Sequence, residues 1–81
     1  MQRRDFSDDK IYFKSNSGDR GAWVSKYKPL GGWTGEWSVR FECLNRIDYD
    51  VRGGNGLGMK VYATKEKAIA AAKRYVVAWG D

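Results

Sequence analysis

Along most of the chain, apolar and polar residues alternate one by one in short runs, the period of a strand with one dry face. The cleanest run is Trp37 to Cys43, where Trp37, Val39, Phe41 and Cys43 alternate with Ser38, Arg40 and Glu42. Lys10 to Lys14 sets Ile11 and Phe13 on one face and Tyr12 on the other. Ala22 to Lys28 divides into Trp23, Ser25 and Tyr27 against Val24, Lys26 and Lys28, and Pro29 ends it because proline has no N–H for a ladder. Ile47 to Val51 turns Ile47, Tyr49 and Val51 inward and Asp48 and Asp50 outward. Met59 to Ala63 is the last strand, with Met59 and Val61 on one side and Lys60 and Tyr62 on the other. The connections are rich in turn formers: Ser15 to Gly21, Pro29 to Gly35 around Trp33, and Gly53 to Gly58. Residues Met1 to Asp9 read as a loosely ordered polar lead-in, with Phe6 as their only anchor.

After Thr64 the period changes. Lys65 to Trp79 contains neither Gly nor Pro, and Ile69, Ala72, Val76 and Trp79 recur at helical spacing, flanked by Ala68 and Tyr75. Thr64 is placed to cap this helix, Glu66 favours its first turn, and Gly80 can end it. A half-wet sheet must cover one face, and this helix is the only element available to do so. The pattern therefore predicts an α+β fold in two layers. It is an antiparallel β-meander of four to five strands packed on one C-terminal α-helix, a single domain over 1–81.

Composition narrows the chemistry. The chain has 81 residues, too few for a second core. It has no His, which removes Ser-His-Asp and Cys-His catalysis and imidazole metal ligands. The single Cys43 cannot form an internal disulfide, and on the apolar side of its strand it reads as a buried structural thiol. Gly54, Gly56 and Gly58 space as G-x-G-x-G before a strand, which suits a hairpin turn better than a phosphate loop. Asp48 and Asp50 share a face and could hold a metal, but they read far better as acids guarding an exposed sheet. No cofactor, metal site or enzymatic activity is expected. No apolar stretch reaches membrane-spanning length, and MQRRDFSDDK turns acidic where a signal peptide needs apolar residues, so a soluble cytoplasmic protein is expected.

Net charge is +5, and it brings nucleic acid into view. Arg20, Lys26, Lys28, Arg40 and Lys60 lie on or beside strands; Arg40 and Lys60 are expected on the wet face with Tyr62 beside them. Such a face can hold phosphates and stack on bases. The plainer reading is a solvated surface, since the halves 1–40 and 41–81 carry +3 and +2 without any basic run. Trp37 and Trp79 fit a sheet–helix core, and Trp23 is ambiguous because Val24 opposite also calls for burial. Trp33, in its glycine-rich loop, either folds back as a cap or anchors a protein partner.

The stretch from Trp37 to Val76 reads W-S-V-R-F, then K-V-Y-A, then T-K-E-K-A-I-A-A-A-K-R-Y. It resembles the DNA-binding domain of plant ethylene-response factors and the arm-binding N-terminal domains of phage-type integrases. The resemblance implies a three-stranded sheet on one helix, with outward residues such as Arg40 and Lys60 on DNA. The expected function is thus a small non-enzymatic domain binding nucleic acid, DNA above all, through Arg20, Lys26, Lys28, Arg40, Lys60 and Tyr62. The alternative is an accessory or inhibitor protein of a phage or mobile element. It would bind a host protein or nucleoprotein complex, for example one of host defence, through Trp33.

Overall fold

The structure, a computed structural model, describes residues 1–43 and 58–78. Five strands, β1 (Gln2–Ser7), β2 (Lys10–Lys14), β3 (Arg20–Lys26), β4 (Trp37–Cys43) and β5 (Met59–Tyr62), precede one helix, α1 (Lys65–Val77). The strands form one sheet in chain order, every neighbouring pair antiparallel. This is the α+β meander with a C-terminal helix that the alternation predicts.

Two details differ, and one expected strand cannot be compared. Gln2–Ser7 is a paired strand, not a loose lead-in: its backbone completes a ladder with β2, although its side chains are exposed. The second run of the pattern is shifted, beginning at Arg20 and ending at Lys26. The strand expected at Ile47 to Val51, together with Asp48, Asp50, Gly54, Gly56, Trp79 and Gly80, lies outside the described residues.

The helix lies mainly over β3 and β4. It presents Ala68, Ala72 and Val76, all fully buried, to a sheet face built from Ile11, Phe13, Ala22, Val24, Trp37 and Val39. Small residues on both sides let helix and sheet approach closely, while each buried Ile, Val or Phe adds roughly 1.5–3 kcal/mol. Thr64 caps α1 as expected: its backbone is extended and its Oγ1 accepts from the Lys67 N–H at 3.2 Å. The Tyr75 hydroxyl donates to the Glu42 carbonyl at 2.9 Å and so pins the helix to β4.

The β2–β3 turn is closed by Ser15, whose buried hydroxyl accepts from the Arg20 N–H at 3.1 Å. In the longer β3–β4 connection, Tyr27 N–H donates to Glu36 O and Thr34 N–H to Tyr27 O. Gly31 and Gly35 supply the positive φ values this connection requires, 91° and 93°.

Candidate nucleic-acid interface

Strand alternation gives the sheet two unlike faces. One lies under the helix; no described element covers the other. The register aligns a row across this open face: Arg4 faces Tyr12, Tyr12 faces Trp23, Trp23 faces Arg40, and Arg40 faces Met59. Paired residues in an antiparallel ladder project to the same side. The row therefore sets two aromatic rings at its centre and an arginine on either side of them.

Ring geometry makes these residues a continuous strip. Trp23 packs on Tyr12 with centroids 4.5 Å apart and on Phe6 at 5.2 Å, both tilted. Phe6 reaches this position beside an irregularity in the β1–β2 register between Asp5 and Ser7. Gly21 lets Tyr12 lie across the sheet, because a Cβ there would run into the Tyr12 hydroxyl. The Trp23 indole N–H donates to a Glu42 carboxylate oxygen at 3.1 Å, which fixes the ring's orientation. Burial, then the Glu42 charge, pushes the Tyr12 phenol above its ordinary pKa.

Cations border the strip. The Arg4 guanidinium lies 5.2 Å from the Phe6 centroid and Lys10 Nζ lies 5.1 Å from that of Trp23. Lys14 pairs in the next row with Gln2 and Gly21. Gln2, Arg3, Arg4, Tyr12 and Lys14 line an open concavity of about 340 Å³. A second, of about 260 Å³, is lined by Asp9, Lys10, Ser25, Lys26 and Lys28. Among the described residues no carboxylate forms an ion pair with Arg4, Lys10, Lys14 or Arg40.

The sequence-predicted set does not converge here. Arg40 lies in the central row. Lys60 and Tyr62 fall on the helix side instead, because their partners are Val39 and Trp37, and Tyr62 packs against the core. Tyr62 is therefore not beside Arg40, and Lys60 faces away from it. Arg20 is 4% exposed; its Nη1 donates to the Tyr75 hydroxyl at 3.2 Å and its guanidinium lies over that ring, so it ties β3 to the helix. Lys26 pairs with Trp37 on the helix side and holds its ammonium 4.3 Å from the Trp33 centroid. Lys28 pairs with Asp9 at 3.7 Å. The Ser7 hydroxyl holds the Asp9 carboxyl below its ordinary pKa; desolvation opposes it, and the Lys28 charge adds a smaller lowering. Trp33 folds back in part, as one of its two expected readings has it. Its indole N–H donates to Glu36 O at 2.8 Å and it meets Trp37 edge-on, yet it remains 48% exposed.

The residues that sequence reasoning missed are Arg4, Phe6, Lys10, Tyr12, Lys14 and Trp23. Tyr12 and Trp23 did carry a signal, since each alternates with core residues on both sides. Arg4 and Phe6 carried none without the β1–β2 pairing. No protein-family model matches the chain, and comparison with curated proteins and with solved structures gives no match.

Proposed function

We propose that this chain is a small non-enzymatic nucleic-acid-binding domain acting through the open face of its sheet. The observation that carries the reading is the central row, Arg4, Tyr12, Trp23 and Arg40, with Phe6 packed on Trp23 and Lys10 and Lys14 at its borders. Four cations without an acidic partner among the described residues are available to phosphates, and the rings between them offer a surface to bases or sugars. The Glu42 carboxylate beside the strip is engaged by the Trp23 indole. Lys10 and Arg4 already rest over rings, so a stacking base displaces them. An exposed cation–π contact is worth about 0.5–1 kcal/mol against about 1–3 kcal/mol for base stacking, so the exchange favours the base.

The test is fluorescence anisotropy of the full chain with labelled oligonucleotides at low salt, followed by a salt titration. If three to four phosphates are neutralised, affinity should fall roughly 20- to 50-fold for a single strand, and roughly 40- to 150-fold for a duplex, between about 50 and about 200 mM salt. No binding at low salt removes the reading. A protein-partner function draws on one specific observation, the exposed β3–β4 connection, where Leu30 is 97% and Trp33 48% exposed. Loss of a captured partner on Trp33→Ala, together with no oligonucleotide binding, would favour it.

A further inference from the structure

Resting on the nucleic-acid reading, we infer that the open face is a site for single-stranded nucleic acid, with unpaired bases stacked on Trp23 and Phe6 and the strand's phosphates held by Arg4 and Arg40 on either side. The inference comes from the shape of the row. Arg4 and Arg40 are three strand spacings apart, about 14 Å, with Tyr12 and Trp23 between them. Cations placed on both sides of an aromatic floor suit a chain whose backbone runs beside its bases.

A duplex presents the opposite arrangement. Its phosphates are outermost and its base faces are stacked on one another, so flat rings find nothing to stack on. Entry into a major groove about 12 Å wide is made by a protruding helix or a two-stranded ribbon. Here the rings and their cations extend over four strands of one sheet, and Tyr12 lies across Gly21 instead of standing up from it. Nearby, the small residues Ser25 and Ser38 pair across β3 and β4 and hydrogen-bond to each other at 3.3 Å. Beside Trp23 they leave a lower floor on the face.

Phe6 is 51% exposed and Trp23 is oriented by Glu42, so both offer ring surface with little ordering left to lose. The face carries the features of sequence-tolerant single-strand binders, a cationic border and an aromatic platform. Either single-stranded DNA or single-stranded RNA meets this chemistry, and the 2′-hydroxyl decides between them.

The experiment compares a mixed-sequence oligonucleotide of about 12 nucleotides, as DNA and as RNA, with the duplex of the same sequence, at one low salt concentration. The intact chain should bind one or both single strands at least about tenfold more tightly than the duplex. Trp23→Ala should lose about tenfold or more of the single-strand affinity and little of the duplex affinity, while Trp23→Phe, which keeps a ring, should retain most of it. If Trp23→Ala does not fold by circular dichroism, Phe6→Ala at an exposed ring serves in its place. Equal binding of duplex and single strand, or indifference of single-strand affinity to these ring removals, overturns the inference and leaves the nucleic-acid reading standing. Failure of every oligonucleotide to bind removes both.

Discussion

Tyr12 sits between the buried Ile11 and Phe13 and projects to the other face, where Trp23 packs against it and Gly21 gives it room. Its phenol is partly desolvated and near Glu42, and both effects favour the neutral form, so its folded pKa lies above the ordinary value near 10. The sign of the pH dependence follows. Below about pH 10 both folded and unfolded chains keep the proton and the ring's contribution is intact. As pH rises further the unfolded chain ionises first, and stability is lost until the folded pKa has been passed. Urea unfolding at about pH 8 and about pH 10.5 should show the native chain losing stability relative to Tyr12→Phe, which has no proton to release. Every other group is common to the two proteins and cancels in the difference. A gap that stays constant with pH would remove Tyr12 from the alkaline transition.

Among the elements, the helix and β4 were the most legible. The period of α1 and the chemistry of its cap are local properties, and Thr64 acts as the pattern predicts. That cap supports its own prediction: Thr64→Ala should lower the urea midpoint by the equivalent of about 0.5–2 kcal/mol with an unchanged m-value, because one helical N–H loses its acceptor. An m-value that changes would mean a wider rearrangement than a lost cap. β1 was not legible, and the reason is physical. An edge strand with every side chain exposed needs no apolar alternation, and its ladder with β2 is backbone chemistry that any sequence but proline can supply. β5 shows a different limit. The alternation of Met59 to Tyr62 was read correctly, but which of its two sets faces the helix depends on register with β4, which places Tyr62 opposite Trp37. That single choice moves Lys60 and Tyr62 from the open face to the covered side. Arg20 was misplaced for a related reason: a cation beginning a strand gives no sign that Tyr75, 55 residues later, will receive it.

For the whole molecule, net charge is +5 and evenly spread in sequence, and the described residues place two groups of cations on opposite sides of the domain. The open face carries Arg4, Lys10, Lys14 and Arg40 with Glu42, and the solvent side of α1 carries Lys67, Lys73 and Arg74 with Glu66. Net charge cannot distinguish them, since either can attract a polyanion through its long-range field. Contact can, because only cations that neutralise phosphates release counterions and set the salt slope. The field of the far side is screened over about 10 Å at 0.1 M salt, which is about the depth of a packed layer. The pair Arg4→Ala and Arg40→Ala should therefore reduce the slope of log affinity against log salt by about 1.4 on a single strand. The charge-matched pair Lys67→Ala and Lys73→Ala should leave the slope within error and lower affinity only at the lowest salt. Both pairs remove two exposed charges, so solubility and net charge change equally and the comparison isolates position. A helix pair that lowers the slope as much as the sheet pair would move the binding surface to α1, and the aromatic row would then be left as ordinary sheet packing.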